Sequence, residues 1–265
     1  MDPLAPLIDA LHAQGRLRVW SLVITVFGDL VQHRGGEIST VRLGQVLGRI
    51  GVTQGALRTA LSRLNRDGWV SSAREGRTSL YRLSAQGQDR FAPATTRIYA
   101  APRTGRVTDW ALGLSLTDAG VPVIALTPAG ETEGVADCRV VGRLDALSAA
   151  YRAALLGSAH RSALEALAAD LAALATPMRS PLESAAARVL LIHRWRRIVL
   201  RYPDLPAELM PLDSPLADPR RAVAEAYARI APDAEAWLDS AEDSGPAMPI
   251  PRKPLFARFG GPDRG

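Results

Sequence analysis

The sequence contains one cysteine in 265 residues, no long apolar run and few aromatic side chains, which make up 5% of the chain. The single cysteine, Cys138, cannot form an intrachain disulfide or a thiolate metal cluster. No apolar segment reaches the length of about 18 residues that a membrane-spanning helix needs, and the N-terminus lacks the basic start and apolar core of a signal peptide. These features predict a cytoplasmic protein.

The sequence is also poor in enzyme motifs. Its four histidines have no spacing that binds zinc, and it has no phosphate-binding glycine loop and no nucleophile elbow. The pattern therefore favours a protein that is not an enzyme and that has no metal or cofactor. An unrecognised hydrolase would have to use the few titratable residues of the middle segment.

Lysine is nearly absent, because Lys253 is the only one, so almost every cation is an arginine. Residues 1–90 hold 12 basic and 7 acidic residues, which accounts for the whole net charge of +5. A basic N-terminal third on a neutral body is typical of a nucleic-acid-binding module joined to a second function. A solvated basic surface would give the same composition, so charge alone does not decide between the two.

Residues 1–92 have the pattern of a long apolar helix, two short helices and a β-hairpin. The segment 18–31 is apolar around most of the helical circumference, which predicts a helix buried on more than one side. Ser39 or Thr40 can cap the second helix, which ends at a glycine, and Thr53 can cap the third. This order of elements predicts a winged helix-turn-helix domain.

The third helix is predicted to bury one apolar face and to expose a polar one. The buried face consists of Ala56, Leu57, Ala60, Leu61 and Leu64. Arginine and glutamine can make paired hydrogen bonds to a base edge, whereas threonine and serine suit phosphates or bases. The residues of this helix predicted to contact DNA are Thr53, Gln54, Arg58, Thr59, Ser62 and Arg63.

Residues 69–73 and 78–83 have the pattern of two strands around a basic loop that contains Gly76. A hairpin directly after a DNA-reading helix is a wing, and Arg74 and Arg77 at its tip are predicted to contact the DNA backbone or a minor groove. The alternative is a surface hairpin on an α+β enzyme. The order helix, turn, helix, hairpin favours the wing.

The rest of the chain predicts a connector with a small sheet in residues 93–142, a helical domain in 143–242 and a disordered tail in 243–265. The connector is Pro93 to Arg106, and Leu182 to Arg201 forms one of the C-terminal helices. The predicted strands are 110–116, 121–126 and the residues that follow Cys138. The predicted fold class is α+β and mostly helical.

Three segments of the N-terminal region resemble, in order, the N-terminal domain of the PaaX-type repressors, which control phenylacetic acid catabolism in bacteria. These segments are GDLVQHRGGEIS, GVTQGALRTALSRLNRDGWV and REGRTSLYRLSAQGQ. The family's C-terminal domain is similar to LDALSAAYRAAL, LIHRWRRIVLRYPDLPAELMP and AYARIAPDAEAWL. The resemblance implies a repressor of an aromatic catabolic operon, and we predict a homodimer on palindromic, double-stranded operator DNA.

PaaX-type proteins carry a ferredoxin-like middle domain similar to the CRISPR protein Cas2. Only the 50 residues of segment 93–142 lie here between the N-terminal domain and the C-terminal helices, so that domain is predicted to be truncated or rewired. The segment LDSPLADPRR after Pro211 lacks the tryptophan-containing turn of the family.

The resemblance also implies an acyl-CoA effector, typically phenylacetyl-CoA, whose phosphates need cations and whose ring needs an apolar wall. The candidate effector-binding residues are His193, Trp195, Arg196 and Arg197. The pattern alone favours another interpretation, in which the arginines bind carbonyls at the helix end while the tryptophan packs in the core. The alternative function is a non-specific or architectural nucleic-acid binder without a CoA effector.

Overall fold

The computed structural model describes residues 2–13, 15, 17–76, 78–130, 136–241, 247–251 and 255–260. Most of the described residues are helical and the strands form two small antiparallel sheets, so the prediction of a mixed, mostly helical fold is confirmed. The chain divides into two compact units. Unit 1 comprises Met1–Pro102, Ser162–Pro203 and Pro219–Gly265, and unit 2 comprises Arg103–Arg161 and Asp204–Asp218.

Unit 1 begins with helix α1 (Ala5–His12) and helix α2 (Val19–Val26), and α2 continues directly into a π-helical turn (Phe27–Val31). The buried apolar residues of α2 and of the turn are Leu22, Val23, Ile24, Val26, Phe27, Leu30 and Val31. Burial around the whole circumference confirms the prediction for this segment. It also encloses Asp29 completely, so this carboxylate needs partners inside the protein.

Two short helices follow, α3 (Thr40–Arg49) and α4 (Gln54–Arg66), and each begins at a predicted capping residue. The hydroxyl of Ser39 accepts a hydrogen bond from the main chain of α3 at 3.1 Å, and the hydroxyl of Thr53 accepts one from α4 at 3.2 Å. Gly51 has a φ of 91°, which permits the tight turn between the two helices. The predicted positions of both helices are therefore confirmed.

The first sheet has the strand order β1-β3-β2 and is antiparallel. Strand β1 (Glu37–Ser39) precedes α3, whereas β2 (Val70–Glu75) and β3 (Thr78–Leu83) form a hairpin directly after α4. Val70 and Leu83 pair at the base of the hairpin, and both are buried. The two strands thus lie where the sequence predicts them, with their base anchored in the core.

Helix α5 (Ala85–Ile98) differs from the predicted connector, because it runs straight through Pro93. Proline lacks the N–H that would bond to the carbonyl one turn earlier, so the helix loses an internal hydrogen bond there. The helix nevertheless packs against the long helix α8 (Pro181–Val199), and Ile98 at its end is buried. Tertiary packing here outweighs a local helix breaker.

Unit 2 contains the second sheet, which is antiparallel with the strand order β5-β4-β6. Its strands β4 (Asp109–Leu116), β5 (Pro122–Pro128) and β6 (Cys138–Arg143) match the three predicted apolar segments. The five residues between β4 and β5 form a turn, so these two strands are joined directly and not through a helix.

The C-terminal helical region starts later than predicted and is interrupted once. The sequence predicts helix from Leu144, but α6 (Ala149–Leu156) begins after Ser148, whose hydroxyl caps it. Gly157 then has a φ of 69° and separates α6 from α7 (Ser158–Ala173). A single glycine conformation therefore divides what the periodicity predicts as one helix.

The longest helices, α8 and α9 (Pro219–Asp239), pack along each other in unit 1. Leu164 and Leu167 of α7 and the adjacent Leu174 are buried, so most of the predicted leucine stripe belongs to the core. Among the described residues, no helix combines the length and the apolar character that crossing a bilayer requires.

The described parts of the C-terminal tail, residues 247–251 and 255–260, pack against other segments of unit 1. Met248 is buried, and its main-chain N–H donates to the end of α9 at 2.9 Å. Phe259 is also buried, and its main-chain N–H donates to the main-chain oxygen of Tyr99 at 2.9 Å. The tail predicted to be disordered thus contains two anchored points.

Candidate nucleic-acid interface

Helix α4 has an apolar face that packs into unit 1 and a polar face that is exposed. The buried residues are Leu57, Ala60, Leu61 and Leu64. Every residue predicted on its DNA-contacting side is exposed, and the set is Thr53, Gln54, Arg58, Thr59, Ser62 and Arg63. One side of α4 therefore presents a row of hydrogen-bond donors and acceptors.

Besides the capping residue Thr53, two side chains of this row are hydrogen-bonded within their own segment. The hydroxyl of Thr59 donates to the Gly55 oxygen at 3.0 Å. Arg63 Nε lies 3.4 Å from Asp67 Oδ2, and the arginine side chain is still 62% exposed. A surface ion pair of this kind contributes little to stability. Its opening would therefore leave Arg63 able to contact another anion.

Gln54 lies at the junction of α3 and α4 and covers Gly44. A Cβ atom on Gly44 would lie 2.7 Å from Gln54 Nε2, which is closer than van der Waals contact allows. The absence of a side chain at Gly44 thus makes room for the Gln54 amide, while Gln54 itself is exposed. The two helices are held close together at the start of α4.

The hairpin carries one of the two predicted wing residues in the described part of the chain. Arg74 is exposed, and its Nε donates to the Gly76 oxygen at 3.3 Å, so it lies along the hairpin turn. Arg77 lies outside the described residues. Sequence reasoning missed Arg66, which is 75% exposed on α4 and lies one helical turn after Ser62. Extension of the same spacing by four residues would have identified it.

The four predicted effector-binding residues lie on different sides of α8. Trp195 is buried, and its Nε1–H donates to a main-chain oxygen at the end of α5 at 2.8 Å. His193 is buried as well, with Nδ1 3.0 Å from the Thr25 hydroxyl of α2. Arg196 donates to the same hydroxyl at 2.9 Å, whereas Arg197 is exposed.

Burial lowers the pKa of His193 to about 3, and the neighbouring charges of Arg196 and Arg197 act in the same direction. The imidazole is therefore neutral at pH 7. It can pack against a ligand or accept a hydrogen bond, but it cannot offer a positive charge to a phosphate.

A small cleft between α1 and α8 contains two of these candidates, His193 and Arg197. Its cavity volume is about 10 Å³, which is room for about one water molecule. Its other lining residues are Leu7, Leu11, Asp170, Leu190 and Arg194. Arg194 Nε donates to Asp170 Oδ2 at 2.6 Å, so an apolar wall adjoins a charged pair.

A network of buried charges links the π-helical turn to α8 and α9. Asp29 Oδ2 accepts a hydrogen bond from Arg188 Nε at 2.6 Å, and Arg188 Nη1 donates to Glu235 Oε1 at 2.5 Å. On the other carboxylate oxygen, Glu235 accepts from Arg34 Nε at 2.6 Å. The sequence analysis missed this network because Asp29 and Arg188 are 159 positions apart.

The two carboxylates of this network are ionised. Burial alone would raise the pKa of Glu235, but the hydrogen bond from His33 and the charge of Arg188 outweigh it and hold the pKa well below its usual range. Burial likewise opposes ionisation of Asp29, whereas the charges of Arg188 and Arg258 lower its pKa. Both buried carboxylates therefore have charged partners, which offset the cost of their burial.

Comparison with known proteins finds similarity over both halves of the chain. A family model described as PaaX-like protein matches residues 18–87, and the model of the PaaX-like protein C-terminal domain matches residues 143–240. The transcriptional repressor PaaX of Escherichia coli (strain K12) is 32% identical, over 91% of this chain and 90% of that protein.

A solved structure shares the fold. The uncharacterized protein Rv0674 of Mycobacterium tuberculosis is 20% identical, with a TM-score of 0.50 over 82% of this chain and 97% of that chain. This likeness concerns the fold alone.

Taken with the amphipathic helix α4, these matches define a transcriptional regulator. The chain belongs to the PaaX family, because both family models match it and the identity to the repressor extends over nearly the whole of both chains.

Proposed function

We propose that this protein is a DNA-binding repressor in which α3, α4 and the β2–β3 hairpin form a winged helix-turn-helix. The observation that carries the proposal is the exposed polar face of α4, opposite a buried apolar face and directly before the hairpin. In such domains the second helix enters the major groove while the wing contacts the adjoining backbone or minor groove. A chromosomal operator as target places the protein in the cytoplasm.

The side chains of α4 divide into two chemical groups. Long planar side chains make paired hydrogen bonds to base edges, and short hydroxyls suit phosphates or bases. The proposed base-reading residues are Gln54, Arg58 and Arg63. The proposed hydroxyl contacts are Thr53, Thr59 and Ser62, and the proposed wing contacts are Arg74 and Arg77.

A homodimer is part of the proposal, since two copies would read the two halves of a palindromic operator. The strand register puts Leu112, Leu116, Ile124 and Val140 on one face of the second sheet. These side chains are 39% to 63% exposed. An exposed apolar face of this kind supports an interface between two copies.

We interpret this sheet as the shortened counterpart of the ferredoxin-like, Cas2-like domain of the family.

An aryl-CoA, with phenylacetyl-CoA as the first to test, is the proposed effector that releases the repressor from an aromatic catabolic operon. The cleft between α1 and α8 is the candidate entry point, because it joins an apolar wall to the cation of Arg197. Since the cleft has room for only about one water molecule, an aryl-CoA would have to displace α1 or α8 to bind there. His193 lines the same cleft. Trp195 and Arg196 would contribute by positioning α8.

Release requires only that the effector bind the DNA-incompetent arrangement more tightly than the competent one. The cleft and α4 belong to the same compact unit. A ligand that displaces α8 would therefore act on the unit that carries the DNA-reading helix.

A mobility-shift titration of the full-length protein tests the proposal. The probe is DNA from the intergenic regions beside its own gene, and the control is a scrambled duplex of the same length and composition. We expect a preference of at least about 1,000-fold for one native duplex. Phenylacetyl-CoA should release the protein, whereas free CoA should not.

The other outcomes identify the alternatives. Equal affinity for native and scrambled duplexes would indicate an architectural binder. If the protein binds a native duplex specifically but no aryl-CoA releases it, the repressor part of the proposal stands and the aryl-CoA effector is refuted. Cleavage of the thioester during the titration would indicate an enzyme.

A further inference from the structure

The π-helical turn presents several hydrogen-bond acceptors to the interior of unit 1. Asp29 is 0% exposed, and its Oδ1 accepts from the hydroxyl of Tyr99 at 2.7 Å and from that of Tyr227 at 3.0 Å. The main-chain oxygens of Gly28 and Asp29 are close enough to share one ligand group. Carboxylate, carbonyl and tyrosine oxygens together form a pocket of hydrogen-bond acceptors with aromatic walls.

Arg258 of the C-terminal tail fills this pocket. Its Nη1 donates to the main-chain oxygen and to Oδ1 of Asp29, both at 2.7 Å, and to the Tyr227 hydroxyl at 2.8 Å. Its Nη2 donates to the Gly28 oxygen at 3.1 Å, and the guanidinium carbon lies 4.4 Å from the centre of the Tyr99 ring. A planar group with spread donors suits this set of partners, whereas a compact ammonium does not.

Phe259 anchors the same segment. The centre of its ring lies 5.4 Å from that of Tyr99 and 5.4 Å from that of Tyr227, both in angled contacts. Its φ is 58°, a conformation that residues with a side chain rarely adopt. A strained backbone conformation of this kind persists only where the surrounding contacts stabilise it. Here the contacts of the Arg258 and Phe259 side chains stabilise it together.

We propose that unit 1 contains a guanidinium-binding site, formed by Gly28, Asp29, Tyr99 and Tyr227, whose intrinsic ligand is Arg258 of the chain's own tail. Arg188 already neutralises Asp29 from α8, so Arg258 adds a second cation and a tie to the main chain of the π-helical turn. The tail thereby acts as a ligand of the N-terminal helices.

The site has a consequence for DNA binding, and this second step rests on the proposed function. The π-helical turn continues α2, and α2 packs against α4. An occupied site therefore supports the position of the DNA-reading helix from behind. An empty site would weaken that support.

Chemical rescue in the full-length chain tests the site. The substitution R258A removes the guanidinium and leaves space for N-ethylguanidinium, and N-ethylammonium at the same concentration is the control cation. We expect the unfolding temperature of R258A to fall by about 10 °C. The unfolding temperature of R258A should rise with N-ethylguanidinium concentration until it saturates, and it should not rise with N-ethylammonium. The unfolding temperature of the wild type should respond to neither cation in this way.

A matched variant separates the site from general salt effects. Arg161 pairs with Asp213 in unit 2, so R161A also loses an ion pair but leaves Arg258 in the Asp29 pocket. Rescue of R258A alone supports the site. Equal unfolding temperatures of R258A and wild type, or equal responses to both cations, would overturn it.

If R258A does not fold, R258K keeps the charge and gives a second test. Faster hydrogen exchange of the amides in 28–32 than in the wild type would support the site, and unchanged exchange would overturn it. Operator affinity is measured separately, and we expect a loss of roughly five-fold or more in R258A that N-ethylguanidinium reverses. Unchanged affinity would overturn the coupling to α4, whereas a wild type that does not bind operator DNA would refute only the proposed function.

Discussion

Arg42 contacts Trp237 in two ways. Its Nη1 donates to the main-chain oxygen of Trp237 at 2.7 Å, and its guanidinium carbon lies 5.0 Å from the centre of the indole ring. A second donor, Nη2, reaches the Ser240 oxygen at 2.7 Å. One arginine from the first turn of α3 thus satisfies carbonyls at the end of α9 and joins the two helices.

Replacement of Arg42 should destabilise the protein strongly, because Arg42 is 1% exposed and R42A removes a packed guanidinium and its hydrogen bonds to two carbonyls. The Trp237 carbonyl keeps a hydrogen bond from the Ser240 hydroxyl at 2.8 Å, whereas the Ser240 carbonyl loses this donor. We expect the free energy of unfolding to fall by about 3 kcal/mol. Urea unfolding measures the change. The control is R66A, whose side chain is 75% exposed and whose loss should change stability by no more than about 0.5 kcal/mol. Equal stability of the two variants would contradict the role of Arg42.

His193 should make stability depend on pH below neutrality. Burial lowers its pKa in the folded state to about 3, below the value of 6.5 for an ordinary histidine, so the unfolded chain takes up the proton first. This contribution to stability is present above about pH 6.5 and is lost as the pH falls toward 3. The loss should approach about 1.4 kcal/mol per pH unit.

Urea unfolding of wild type and H193Q at pH 7, 6 and 5 measures that contribution. H193Q should show a shallower decrease of stability with falling pH, and the exposed His12 provides the control H12Q. Identical slopes for wild type and H193Q would mean that the buried imidazole is not the group that titrates.

The residue Arg58 provides the sharpest test of the proposed DNA-reading face of α4. R58A should lose roughly ten-fold in affinity for the cognate operator and much less for scrambled DNA, because a base contact discriminates between sequences. Fluorescence anisotropy with both duplexes measures the two losses, and R161A in unit 2 is the control. Equal losses on both duplexes would reassign Arg58 to a phosphate contact.

A charge introduced on the exposed sheet of unit 2 should weaken the proposed dimer. Ile124 is 61% exposed on the apolar face, and I124K should raise the dimer dissociation constant by about ten-fold or more, since a buried charge opposes association. Sedimentation equilibrium measures this constant. L212K is the control, because Leu212 is 99% exposed outside the sheet. A dimer of unchanged strength in I124K would place the interface elsewhere.

Local patterns were sufficient to locate several elements. The caps at Ser39 and Thr53 could be predicted because each hydroxyl bonds to a main-chain N–H only three residues further on. The faces of α4 followed from spacing for the same reason, since neighbours on a helix are three or four residues apart. Helix α5 was missed at Pro93, because its persistence depends on packing against α8.

The sequence by itself determined the amphipathic character of α4, the three strands of unit 2 and the resemblance to a repressor family. Only the tertiary structure decided that Arg42 and Arg188 are buried and Arg258 is mostly enclosed. It also decided that these arginines join the N-terminal helices to α9, to α8 and to the tail. The physical reason is that an arginine enters the interior only where folding brings carboxylates or carbonyls to it. The contacts that join the N-terminal helices to α8, α9 and the tail link residues 159 to 229 positions apart, where no local pattern records them.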